Sequence, residues 1–472
     1  MERPNILFLM TDQCQAAVIE PDHPCRTPNL DRLASRGLRF NRAYTPNAIC
    51  SPARTSLMTG LLPHNHGVLT VTHTVDEDQS VLRKDAPHWA QRLESVGYRR
   101  GYFGKTHIER SGNFGQFGWD VCIEQSDPLV RERVQKYLEK SPDRWTLDYG
   151  LDHPIGYPSS RFYGATDRSD QASLGSVVCE FASEYLEQVL GGPDPWCCFV
   201  SLTEPHDPFV CTSATLAEYD IDALPLPPED DSLRPGLYRK AARIFEKMTP
   251  RHRREAAACY YASITELDRW FGRLIDQVEA AGALDNTVII FTTDHGELLG
   301  AHGLYCKNIG GYEEIYRIPL IMSGPGITQG ETDARVGLHD LAPTLTDLGS
   351  AEPMPPTADS RSFVSVLESP ESTADNFRDG YAEYHGGRYL LTQRIVWEDH
   401  WKLIFNGFDF DELYDLDNDP NELNNLIDRP ECQEISKQLH KKLWAKLDET
   451  GDHSLARSAY PILRLATYGP KT

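Results

Sequence analysis

Residues 5–10, 196–202 and 287–293 of this chain are apolar at most positions, where a half-exposed strand would alternate. A strand with one face in water alternates with period two; a strand covered on both faces reads as a continuous apolar run. Segments with helical spacing precede or follow each run. Residues 28–34 form one such segment, with Gly37 expected as its C-cap, and residues 88–96 end at Gly97 ahead of a fourth strand over 99–103. Residues 177–190 lead into the strand at 196. The longest helix is expected over 251–281, where Tyr260, Tyr261, Ile264, Leu267, Phe271, Leu274 and Val278 recur on one face before the strand at 287. Fully apolar strands alternating with helices imply an α/β fold with a mostly parallel sheet covered on both sides.

In such sheets ligands bind beyond the C-terminal ends of the strands. That rule gathers Asp12 and Gln13, Lys105 and His107, His206, and Asp294 and His295 on one edge, although they are far apart in sequence. After about residue 365 the pattern changes to short strands over 388–396 and 400–405, an acidic turn at 415–421 and a helix over 432–447. The expected organisation is therefore a large unit over 1–365 and a small α+β unit over 366–472, with Pro353-Met354-Pro355-Pro356 as the linker.

The formal charge of -23 repels nucleic-acid backbones and anionic lipids, and no basic stripe offsets it. Arg251-His252-Arg253-Arg254 reads as the solvated start of a helix. Neither nucleic acid nor membrane is expected as a partner, and an anionic substrate requires a local cationic pocket. The eleven cysteines are odd in number and irregularly spaced, so most of them are expected to be thiols. No apolar run approaches bilayer length, and the five apolar residues at 6–10 are too few for a signal peptide core, so a soluble, cytoplasmic protein is expected. Monomer and homo-oligomer both stay open.

The segment Cys50-Ser51-Pro52-Ala53-Arg54, followed by Thr59-Gly60, resembles the signature of the formylglycine-dependent sulfatases, Cys-x-Pro-x-Arg with a Thr-Gly beyond it. Pro28-Asn29-Leu30-Asp31, Tyr316-Arg317-Ile318-Pro319-Leu320 and Asp411-Glu412-Leu413-Tyr414-Asp415-Leu416 extend the resemblance over most of the chain. It implies an alkaline-phosphatase-like α/β/α sandwich, a sulfatase catalytic domain, and a C-terminal subdomain with a small antiparallel sheet. It also implies that a separate formylglycine-generating or anaerobic sulfatase-maturating enzyme oxidises Cys50 to an aldehyde, which hydrates to a geminal diol. The advantage is chemical: a serine sulfate is as hard to cleave at sulfur as the substrate was, whereas a diol attacks with one hydroxyl and expels sulfate by deprotonating the other.

Further roles follow from the resemblance. Arg54, one turn after Cys50, is expected to hold the diol or oxyanion. Asp12, Gln13, Asp294 and His295, with the residue-50 side chain, are expected to bind one divalent cation. Many relatives carry Asp-Asp and Asp-Asn in these pairs; Gln13 removes a charge and His295 adds a nitrogen ligand, so manganese stands as the alternative to calcium. Lys105 and His107 in Gly104-Lys105-Thr106-His107, together with Lys307, are expected to grip the sulfate, and His206 to protonate the leaving oxygen. His64, His66 and His73 either line the pocket or decorate loops. The substrate implied is a small-molecule or carbohydrate sulfate ester. Phosphonate monoester hydrolases and choline sulfatases share the cysteine, and hydrolysis of phosphonate or phosphate diesters is the nearest alternative; Lys105 and His107 favour sulfate. A non-catalytic anion-binding protein with unmodified Cys50 is the alternative from a different class.

Overall fold

A computed structural model describes residues 3–471 apart from 77–78, 110–113, 230–231, 308, 388–390, 457–460 and 462–463. Its main sheet has eight strands: β1 Asn5–Thr11, β2 Leu38–Phe40, β3 Arg99–Gly104, β4 Val121–Glu124, β5 Trp196–Ser201, β6 Thr287–Thr293, β7 Leu320–Ser323 and β8 Gly330–Thr332. Their spatial order is β8-β2-β7-β6-β1-β5-β3-β4. The five strands from β6 to β4 run parallel, while β7 is antiparallel to both neighbours. At the centre, β1 pairs with β6 from Asn5↔Thr287 and with β5 from Ile6↔Cys197.

The two faces of the sheet explain the unbroken apolar runs. Leu7, Leu9, Cys198, Val200, Ile289 and Phe291 point to one side, where they meet α1 Pro28–Arg36, α4 Leu174–Val189 and the 31-residue α5 Pro250–Ala280. Ile6, Phe8, Cys197, Phe199, Val288 and Ile290 point to the other. There they pack with α2 Cys50–Thr59, α3 Trp89–Ser95 and α6 Leu341–Leu348. Each of these strand residues is at most 1% exposed, so alternation has no solvent face to report.

Gly37 caps α1 as expected, its N–H donating to the Ala34 carbonyl; its φ is −135°, and glycine is needed because a Cβ would run into the Met322 carbonyl. Gly97, by contrast, has φ +86°. The basic run at 251–254 forms the first turn of α5, as expected, and the Thr249 cap accepts a hydrogen bond from the His252 amide.

The C-terminal sheet is an antiparallel meander of β9 Asp379–Tyr384, β10 Gln393–Glu398, β11 Trp401–Asn406 and β12 Glu412–Asp415, covered by α7 Gln433–Thr450. Val366 and Leu367 still pack against the large sheet. The strand expected over 388–396 begins at Gln393, and residues 388–390 of that range lie outside the described residues. Strand β9 was not anticipated, because the buried Glu383 breaks its apolar pattern. All eleven cysteines are free thiols, and among the described residues no helix is long and apolar enough to cross a membrane.

Candidate active site

The C-terminal edge of the sheet delivers the expected residues to one place. Asp12 and Gln13 follow β1, Lys105 to His107 follow β3, His206 follows β5, and Asp294 and His295 follow β6. Cys50 opens α2, a helix buried at every position, and its Sγ lies 3.7 Å from Asp12 Oδ1 and 3.3 Å from His295 Nε2. A cleft of about 1010 Å³ reaches Cys50, with His73, Lys105, His107, Glu124, His206, Lys307 and Tyr384 among its walls.

Arg54 sits beneath the site and is 1% exposed. Its Nε donates to Asp294 Oδ2 at 2.7 Å, one terminal nitrogen to Asp12 Oδ2 at 3.1 Å, and the other to Ser201 Oγ at 2.8 Å and the Lys105 carbonyl at 3.0 Å. The guanidinium fastens the two carboxylates that flank it. The Lys105 ammonium pairs with Asp12 as well.

Lys307 Nζ donates to Gln13 Oε1 at 2.7 Å and to His206 Nε2 at 2.6 Å, while His206 Nδ1 donates to the Asp207 carbonyl at 2.7 Å. The Lys307 ammonium thus faces His206 Nε2. Burial and Lys307 push the His206 proton affinity down, but Asp12, Cys50 and Asp207 outweigh them and raise it.

Charge at the residue-50 side chain is stabilised. Burial and the Asp12 carboxylate push the Cys50 thiol up, yet Lys105, Lys307 and His295 outweigh both and hold it well below the usual thiol range. Burial also raises Asp12, but Lys105, Lys307, His206 and Arg54 hold it well below the ordinary carboxylate range. Asp294 goes the other way: burial, with Asp12 and Cys50 nearby, raises it despite Arg54.

These groups suit a cation. Ligand atoms of Asp12, Cys50, Asp294 and His295 lie within 4.8 Å of one another. His295 Nδ1 donates to the Gly296 carbonyl at 2.9 Å, which orients the ring with Nε2 toward Asp12 and Asp294, 3.7 and 3.6 Å away. Oxygen donors with one imidazole match a divalent ion, which would also relieve the crowding that raises Asp294.

His107 faces the cleft and meets His73, Nε2 to Nδ1, at 2.8 Å. His73 is thus a pocket residue. His64 and His66 are not: His66 Nε2 contacts Ser56 Oγ at 3.0 Å beneath α2, and His64 pairs with Glu383 at 2.7 Å. Sequence reading overlooked Ser201, Asp207 and Glu297, which support the site from behind. The run Asp294-His295-Gly296-Glu297 held a signal for Glu297, a carboxylate that follows a ligand pair within one loop.

The sulfatase profile matches residues 4–351, close to three quarters of the chain. The chain belongs to the sulfatase family. This sulfatase also matches, over residues 300–449, a profile described as the C-terminal part of N-sulphoglucosamine sulphohydrolase. It is 30% identical to a choline-sulfatase of Rhizobium meliloti over 454 residues, covering 91% of this chain and 83% of that one. It is 27% identical to an N-acetylglucosamine-6-O-sulfatase of Bacteroides thetaiotaomicron, covering 94% and 86%. A phosphonate monoester hydrolase structure from Silicibacter pomeroyi superimposes with a TM-score of 0.79 at 22% identity, covering 96% of each chain; it shares the alkaline-phosphatase-type fold. The sulfatase is a sulfuric ester hydrolase.

Proposed function

We propose that this sulfatase hydrolyses a monosulfate ester of a small alcohol or a sugar, with residue 50 acting as a formylglycine made from Cys50 by a separate maturating enzyme. The observation that carries the reading is geometric. At the floor of the cleft the residue-50 side chain lies 3.7 Å from Asp12 Oδ1 and 3.3 Å from His295 Nε2, and Lys105, His206 and Lys307 line the same cleft. A hydrated aldehyde there supplies the attacking hydroxyl and, through its second hydroxyl, the means of releasing sulfate.

Asp12, Gln13, Asp294 and His295 would hold the cation, calcium or, given the nitrogen ligand, manganese; when bound it supplies charge neutralisation and makes the attacking hydroxyl more acidic. Arg54 keeps Asp12 and Asp294 at fixed separation. Lys105, His107 and Lys307 offer donors to the sulfate oxygens from the cleft side, where charge builds as the S–O bond stretches. His206 and Lys307 share the proton that goes to the leaving oxygen. The relatives acting on choline sulfate and on a sulfated amino sugar support a leaving group of one small molecule or sugar unit.

The test combines two measurements on the same preparation. Intact mass should read about 18 Da below the thiol form, as thiol-to-aldehyde conversion requires. Rates on an aryl sulfate, choline sulfate, a sugar sulfate and a phosphonate monoester should favour a sulfate. Preference for the phosphonate, or turnover by a preparation wholly in the thiol form, defeats the reading.

A further inference from the structure

Gln13 is the departure from the usual acidic pair, and a carboxamide poses a problem that a carboxylate does not. One end donates and the other accepts, so a flipped amide would aim two N–H groups at a cation site. The surroundings leave one orientation. Backbone contacts pin the residue first: its amide donates to Asp294 Oδ1 at 3.2 Å, its carbonyl accepts from Tyr260 Oη at 2.7 Å, and its φ is +67°. The side chain then has Nε2 between Glu297 Oε2 at 2.5 Å and Asp207 Oδ1 at 3.0 Å, with Oε1 facing the Lys307 ammonium at 2.7 Å.

Of the two carboxylates, Glu297 is the better anchored. It is fully buried, whereas the Asp207 side chain is 33% exposed. Glu297 Oε1 accepts from the Leu299 and Cys306 amides at 2.8 and 2.6 Å, so its free oxygen is aimed at Gln13 by the same loop that carries Lys307.

We propose that Glu297 is the positioning residue that orients the Gln13 carboxamide, presenting its oxygen to Lys307 and to the cation site. The proposal rests on the reading that Asp12, Gln13, Asp294 and His295 hold the cation. It explains how this chain keeps an oxygen ligand at a position where it has given up a charge: the missing carboxylate sits behind the amide instead of beside the metal. Glu297→Gln keeps an acceptor for the Leu299 and Cys306 amides but sets its own NH2 against that of Gln13. Gln13 must then flip or withdraw, and either displaces the oxygen.

The experiment is calorimetric titration of metal-stripped protein with Ca²⁺ and, separately, Mn²⁺. Wild type, Asp294→Asn, Glu297→Gln and the exchanged pair Gln13→Glu/Glu297→Gln are compared. Glu297→Gln should weaken the dissociation constant by about 10–100-fold, the usual range for losing a partner of a metal ligand. The exchanged pair should recover most of the loss, because a carboxylate at position 13 presents oxygen in either orientation and accepts from the carboxamide introduced at position 297. Equal weakening in the single and exchanged variants, or none in the single, overturns the proposal. If the single variant does not fold, an exchanged pair that folds and binds supports complementarity; failure of both to fold assigns Glu297 a purely structural role and overturns it. A wild type that binds neither ion, indistinguishable from Asp294→Asn, removes the cation reading itself and this proposal with it. Binding by wild type without rescue by the exchange removes the proposal alone.

Discussion

Removing the Arg54 guanidinium tests whether the site is held together by charge. In Arg54→Ala, Asp12 keeps Lys105 and the Lys105 carbonyl keeps Tyr102 Oη at 2.6 Å, but Asp294 loses its 2.7 Å partner and the Ser201 hydroxyl loses its 2.8 Å donor. Breaking a buried ion pair from one side costs about 3–5 kcal/mol, because the stranded charge has no water to turn to. Arg54 and Asp294 are both at most 1% exposed, so that full range applies. Urea unfolding followed by tryptophan fluorescence, in chelator, reads the loss directly, with Trp89, Trp196 and Trp270 buried in the large unit as reporters. A saturating cation should narrow the gap between variant and wild type, since removing one positive charge makes the site more attractive to another. Ligand at about 100 times its dissociation constant contributes about 2.7 kcal/mol to whichever form binds it. A deficit below about 1 kcal/mol in chelator would show that Asp294 is not held as an anion by Arg54, and the clamp would have to be abandoned.

Cys50→Ala should abolish turnover while the fold persists, and Cys50→Ser should do no better after one cycle; sustained turnover by the serine variant, followed by product release over many equivalents, refutes the diol. His206→Ala should slow alkyl and sugar sulfates about 10²–10⁴-fold more than nitrophenyl sulfate, because a good leaving group departs without a proton. Parallel dependence of mutant and wild-type rates on leaving-group pKa would leave that role to Lys307. His64 carries a pH prediction. Burial lowers its pKa, but the hydrogen bond and charge of Glu383 outweigh this and raise it from 6.5 to about 9. A raised folded pKa means stability fully present below about pH 6.5 and lost as pH climbs through about 9, at most about 3 kcal/mol. The stability difference between wild type and His64→Gln should therefore shrink across that window; a constant difference shows that His64 is neutral throughout.

The large sheet was legible because burial on both faces leaves an uninterrupted apolar signal in β1, β5 and β6, and the loop rule then placed Asp12, Lys105, His206 and Asp294 together. Cys50 and Arg54 announced themselves by their spacing. What stayed hidden depends on partners far away in the chain. Nothing local says that Arg54 turns toward Asp294, 240 residues on, or that Gln13 leans on Glu297. The C-terminal sheet was harder for the opposite reason: Glu383 in β9 is buried because His64 pairs with it, so a core strand carries a charged residue and reads as a loop. Gly37 was legible as the cap of α1, but only the passing Met322 carbonyl shows why that cap is glycine.

The central position of β6 sets a clock. Strand β1 leaves the ribosome early, yet β6, beside it in the sheet and the bearer of Asp294 and His295, follows Cys50 by roughly 240 residues, which takes about 10–50 s at common rates of synthesis. Cys50, 2% exposed in the finished fold, then lies at the foot of the cleft with His295, borne by that late arrival, 3.3 Å from its sulfur. Any enzyme that must reach its sulfur has those seconds in which to act, and slower translation between residues 50 and 287 would lengthen the interval.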